Sequence, residues 1–86
     1  MYHLYILKCA DKTLYTGITT DLKRRVSEHN SSKLGAKYTS IRRPVLLVYS
    51  KKFKNRSLAS KEEARIKKLT RGEKLELINA NNKFLK

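Results

Sequence analysis

The chain has 86 residues, enough for one domain and too few for a second core. Its 21 Lys and Arg against 7 Asp and Glu give a net charge of +14, which points to a polyanionic partner, nucleic acid first. The lone Cys9 excludes an intramolecular disulfide and reads as a small strand-end filler, no apolar run is long enough to cross a bilayer, and the N-terminus lacks a secretory pattern, so the expected compartment is the cytoplasm.

Residues 2–8 alternate imperfectly, because Leu4, Tyr5, Ile6 and Leu7 are all apolar. That pattern predicts a strand covered on both faces, in the middle of a small sheet. Ala10-Asp11-Lys12-Thr13 predicts a hairpin turn in which Asp11 bonds its own backbone. Residues 14–18 form the second strand, and Gly17 inside it marks a bulge, a close approach or a packing position. Thr19, Thr20 and Asp21 are candidate caps for a helix over about 21–30. Leu22, Val26 and His29 are its buried stripe. Arg25 lies at the edge of that stripe, one helical turn before His29 and on the same face.

Residues 30–35 end the helix, and residues 36–43 read as a loop with at most a turn of helix, since Pro44 restricts Arg43. Val45-Leu46-Leu47-Val48-Tyr49 is the strongest strand signal and continues to Phe53. Its unbroken apolar run predicts a strand sandwiched between helices, and that cover implies a monomer. Ser57 or Ser60 caps a second helix reaching about Leu69, with Ala59 and Ile66 on one face. Thr70 and Glu73 have the spacing of a capping box opening a short third helix with Leu75 and Ile78 on its apolar face. Residues 79–86 are mostly polar and are expected to fray or to dock loosely, leaving 81–86 as a tail outside a core of about 2–80. The fold expected is α+β, order β-β-α-β-α-α, with a three-stranded antiparallel or mixed sheet flanked by three helices.

The chemistry-bearing residues on this frame are the phenols of Tyr5 and Tyr15, the Arg25 guanidinium, the His29 imidazole and the Glu63 carboxylate. Each has a plain structural alternative. Tyr5 and Tyr15 suit a strand as ordinary aromatics. Arg25 could be a solvated charge, and His29 a satisfied core histidine. Glu63 either closes a capping box with Ser60 or lies within the helix on the face of Ala59 and Ile66. In the second case it points toward the sheet and needs a partner, Arg25 or a metal. Lys33, Lys37, Arg42, Arg43, Lys51, Lys52, Lys54 and Arg56 could track a phosphate backbone. Tyr38 could stack on a base at the rim. No base-reading module is left over, so recognition of structure fits better than recognition of sequence.

Taken together and in order, these residues resemble the GIY-YIG nuclease superfamily, and in particular its small stand-alone bacterial members. Leu4-Tyr5-Ile6 matches the first motif, with His3 in place of its glycine. Tyr15-Thr16-Gly17 matches the second. Arg25 and His29 match the first helix, and Glu63 matches the acidic residue that holds the metal in nuclease members. Ile18 stands where DNA-repair members carry a lysine. The resemblance covers about residues 2–80. It implies metal-dependent hydrolysis of DNA, ahead of RNA, by a structure-selective endonuclease of repair or recombination, within a larger repair complex. Mg²⁺ or Mn²⁺ would be held by Glu63 with phosphate and water oxygens. Arg25 would clamp the phosphate. Tyr5 would be the base and Tyr15 a second phenol on phosphate or water, while His29 would orient a group or assist proton transfer. The alternative is a nucleic-acid-binding accessory module that is catalytically weak or inactive. A third reading, a small architectural or ribosome-associated basic protein, predicts that Tyr5, Arg25 and Glu63 lie apart.

Overall fold

The consecutive apolar residues Leu4 to Leu7 need cover on both faces, and the fold supplies it by making their strand central. In the computed structural model, which describes residues 1–31 and 42–82, the elements are β1 (Tyr2–Lys8), β2 (Leu14–Thr19), α1 (Leu22–Ser31), β3 (Leu46–Phe53), α2 (Arg56–Lys67) and α3 (Arg71–Asn82). The sheet order is β2-β1-β3, and β1 is antiparallel to both neighbours. The expected α+β order and three-stranded sheet are therefore present, fully antiparallel.

Alternation of side chains along β1 divides the core into two layers. Leu4 and Ile6 pack with Tyr49, Ile66 of α2 and Ile78 of α3. Tyr5, Leu7 and Cys9 face the other way, with Val45, Tyr15 and the Leu22 and Val26 stripe of α1. Among the described residues, no helix is long and apolar enough to cross a membrane.

Local chemistry sets the boundaries. Asp11 accepts from the Thr13 amide at 3.1 Å and from its hydroxyl at 2.6 Å, and Lys12 turns the chain at φ 70°. Asp21 caps α1 by accepting from the Arg24 amide at 3.1 Å. Neither Ser57 nor Ser60 caps α2. Asn55 does, accepting from the Leu58 amide at 3.0 Å, which places Ser60 and Glu63 inside the helix and removes the capping-box account of that pair. Thr70 and Glu73 do form the reciprocal box expected of them: the Thr70 amide donates to Glu73 at 2.9 Å, and the Glu73 amide to the Thr70 hydroxyl at 3.2 Å. The helix it opens runs past residue 79, where fraying was expected, to Asn82. Docking of Leu77 and Ile78 against the core carries it that far.

The expectation for β3 needs correction. β3 is an edge strand, not one sandwiched along its length. Val45 and Tyr49 are buried, yet Leu46 is 64% and Leu47 41% exposed. A register shift opposite Ile6 and Leu7 pairs Tyr49 with Ile6 and Leu47 with Leu7, leaving Val48 as the extra residue. The cover from which a monomer was inferred is thus missing at two of the five positions from Val45 to Tyr49. Leu47 lines an apolar groove with Leu22, Lys23 and Val26.

Candidate functional site

Tyr5 and Gly17 are cross-strand partners, so their side-chain positions share a face. The Tyr5 phenol lies directly over Gly17. A Cβ at residue 17 would sit 2.6 Å from the phenol oxygen and 2.8 Å from Cζ. Gly17 has no positive φ, so glycine is needed there for space and not for backbone freedom.

The phenol oxygen is 2.9 Å from Nε2 of His29, which α1 presents fully buried. Tyr15, two positions before Gly17 on the same face of β2, completes a cluster of three rings. Its centroid lies 5.2 Å from that of His29 and 6.5 Å from that of Tyr5, and the Tyr5 and His29 rings are 5.8 Å apart. Arg25 hydrogen-bonds the Tyr5 phenol and donates through Nη1 to Glu28 at 2.9 Å. From α2, the half-buried Glu63 is near enough for its charge to act on Tyr5, and it pairs with Lys67 at 3.4 Å.

Burial fixes the protonation states. Desolvation, helped by the charges of Arg25 and Arg43 and opposed by Glu28, lowers the His29 pKa to about 4, so the imidazole is neutral at pH 7. Burial also pushes the Tyr5 phenol up. The Arg25 hydrogen bond pulls it down, while Tyr15 and Glu63 add to the rise. Tyr5 is therefore a protonated donor at rest, with a neutral imidazole beside it.

The basic residues divide. Lys51 is paired with Leu4, on the face covered by α2 and α3, and its ammonium sits 5.5 Å from the centroid of Phe53. Lys52 is paired with His3 and shares the face of Tyr5. Lys52, Lys54 and Arg56 are all exposed. Arg42 and Arg43 have bracing contacts that local sequence did not reveal. Arg42 pairs with Asp11 at 2.9 Å, and its carbonyl accepts from the Ala10 amide at 2.9 Å. Arg43 Nε donates to the His29 carbonyl at 2.6 Å. Lys33, Lys37 and Tyr38 lie outside the described residues.

Asn30 was read only as the start of a loop. Its side chain accepts from the Val45 amide at 2.7 Å and donates to the Val45 carbonyl at 3.0 Å, clamping the entry of β3 to the end of α1. Glu28 was also unmarked. Arg25 and Glu28 are three apart on α1, a spacing that permits a pair without identifying it.

No group of three His, Cys, Asp or Glu among the described residues could hold a metal between them. Among the described residues Glu28 is engaged with Arg25, which leaves Glu63 as the candidate carboxylate ligand. That fits a hard divalent cation which retains waters and takes its remaining oxygens from a phosphate.

A three-stranded sheet carrying one tyrosine over a glycine and a second beside it, with arginine and histidine from the first helix, defines a GIY-YIG domain. The GIY-YIG catalytic domain family matches residues 1–76, and the chain belongs to that family. At the level of individual proteins it is similar to UPF0213 proteins. One from Syntrophus aciditrophicus is 54% identical over 92% of this chain and 91% of its own. Another, DP2720 of Desulfotalea psychrophila, is 54% identical over 95% of this chain and 74% of its own. Among solved structures, the solution structure of EF2693 from E. faecalis superposes with a TM-score of 0.64 at 44% identity, covering 94% of this chain and 85% of that one. The family ties the chain to a nuclease-related superfamily and to nucleic acid in general.

Proposed function

We propose that this domain binds nucleic acid, DNA ahead of RNA, and holds a backbone phosphate at the Tyr5–His29–Arg25 cluster with little or no turnover. One observation carries the reading: the Tyr5 phenol is bonded to a buried, neutral His29 and is kept protonated by its burial. A buried, protonated phenol is a poor base, and it leaves the partly exposed Arg25 guanidinium as the group that meets the phosphate. Arg25 supplies a charged, forked donor beside it. Lys52, Lys54 and Arg56, and the outer faces of Arg42 and Arg43, would meet flanking phosphates without reading bases. Lys33, Lys37 and Tyr38 belong to the same proposal from the sequence. Within it the domain works in the cytoplasm as an accessory to a larger repair complex.

A second reading is a metal-dependent, structure-selective DNA endonuclease. The placement of Glu63 inside α2, half-buried and with its charge felt at Tyr5, favours it. Mg²⁺ or Mn²⁺ held by Glu63 would supply neutralisation of phosphate charge. Arg25 would clamp the phosphate and Tyr15 would orient water. His29 would orient the Tyr5 phenol through Nε2, and the phenol would give up its proton only with the charge of a bound cation and of Arg25 beside it.

The test is a labelled panel of duplex, single-stranded, nicked, flapped and branched DNA with matching RNA, at low salt, in Mg²⁺, Mn²⁺ or chelator. Wild type runs beside Tyr5→Phe, Arg25→Ala and Glu63→Gln, with binding measured for each. Tight binding without cutting, weakened by Arg25→Ala, supports the binding module. Rapid metal-dependent cutting, lost in the variants while binding survives, replaces it with the endonuclease.

A further inference from the structure

We infer that Glu28 is a positioning residue: it holds the Arg25 guanidinium in the orientation in which it meets Tyr5 and would meet a phosphate. This rests on the proposed role of Arg25 as the phosphate clamp. Arg25 is a long side chain on a helix edge, and its rotamers would ordinarily be spread in solvent. Here the guanidinium has two anchors. One is the Tyr5 phenol on the sheet, and the other is Oε1 of Glu28 at 2.9 Å on the next turn of α1. The guanidinium is a rigid planar fork, so fixing it at two donors also aims the remaining ones.

Helix stability does not explain a carboxylate at this position. Glu28 lies in the last turn of α1, where the helix dipole disfavours negative charge. Its other oxygen is 3.7 Å from Nε of Arg24, a weak contact in the less favourable order of basic residue before acidic. Nor does solvation explain it, because the Glu28 side chain is only 17% exposed. Glu28 also places a negative charge beside a cluster meant to attract phosphate. Its local compensation is the ordering of Arg25.

That opposition of charge and order makes the inference testable. Glu28→Ala removes a negative charge from a cationic surface, which alone should tighten binding of a duplex oligonucleotide. If Glu28 positions Arg25, affinity at fixed low salt instead falls by roughly threefold to tenfold, about as far as in Arg25→Ala. Arg25→Ala added to Glu28→Ala then costs little more. Glu28→Gln, which keeps a neutral acceptor at the same reach, recovers part of the loss. A readout independent of function is the NMR signal of the Arg25 side chain. Its Nη–H signals should be distinct and protected in wild type, averaged with solvent-exposed arginines in Glu28→Ala, and intermediate in Glu28→Gln. An unchanged Arg25 signal in Glu28→Ala overturns the inference, as does binding that tightens. If wild type binds no nucleic acid, the functional reading fails, and the Arg25 signal alone decides the positioning role.

Discussion

Replacing Gly17 with alanine gives opposite signs for two accounts of that residue. If Gly17 were an ordinary strand position, alanine would stabilise the domain by roughly 0.5–1 kcal/mol, because glycine loses more backbone freedom on folding. The geometry demands the reverse. The new Cβ would stand 2.6 Å from the Tyr5 oxygen, and ordinary contact begins at about 3.4 Å, so the phenol must retreat by roughly 0.8 Å. Tyr5 is fully buried, with the rings of Tyr15 and His29 packed around it, so the retreat disrupts packing. Overpacking of this kind costs about 1–3 kcal/mol. Retreat also lengthens the 2.9 Å bond to His29, and a buried polar group left unpaired costs about 1–3 kcal/mol. Net of the backbone gain, Gly17→Ala should lose about 1–5 kcal/mol, a large share of the roughly 5–15 kcal/mol of a typical domain. Urea and thermal unfolding would measure it, with Tm falling by about 4–8 °C per kcal/mol lost. In a Tyr5→Phe background the penalty should shrink, because the nearest atom and the bond to His29 are already gone, but it should not vanish, because Cζ remains 2.8 Å away. A Gly17→Ala domain as stable as wild type would refute the close-approach account.

Acid should destabilise the domain through His29. Its folded pKa of about 4 lies below its ordinary 6.5, so the unfolded chain takes up the proton first as pH falls. The contribution is complete above about pH 6.5, declines through the interval and is gone below about pH 4; it amounts to about 3 kcal/mol. Urea midpoints across that range should fall less steeply in His29→Gln than in wild type, and equal slopes would contradict the burial of a neutral imidazole. Asn30→Ala breaks both bonds to Val45 and should cost about 2 kcal/mol, with amide exchange accelerating first at Val45. Lys52→Ala should weaken duplex binding more than Lys51→Ala, since only Lys52 shares the Tyr5 face. Equal losses in a titration at fixed salt would move the phosphate track off that face.

What the sequence made legible, and what it did not, follows the range of each interaction. Leu4 to Leu7 declared a strand covered on both faces, and Thr70 with Glu73 declared a helix start, because those signals act over a few residues. Tyr5, Tyr15, Arg25 and His29 could be placed together because a hairpin and the helix after it leave few ways to arrange them. Val45 to Tyr49 misled in one respect. An apolar run reports that side chains want cover, and it cannot report that the strand lies at the sheet's edge with a bulge at Val48. Asn30 and Arg43 act over fifteen and fourteen residues, onto backbone atoms that any sequence would offer, so no pattern could announce them. Glu28 was hidden differently: acidic residues one turn from an arginine are commonplace, and only the Tyr5 contact gives this one meaning.

The sheet order also sets a schedule for folding. β1 and β2 are neighbours in sequence, so their hairpin can form as soon as both have left the ribosome, and α1 can close over it. The other edge of β1 must wait for β3, since Ile6 meets Tyr49 and Tyr2 meets Phe53. Until then Leu4 and Ile6 are bare, because the helices that cover them come later still in the chain. The nascent domain thus assembles its Tyr5–His29 cluster before it can bury its larger core. A chain stalled before β3 would leave Leu4 and Ile6 bare on one face of the hairpin and the other face without Val45, which marks that interval as the one in which a chaperone or a misplaced partner strand would compete for it.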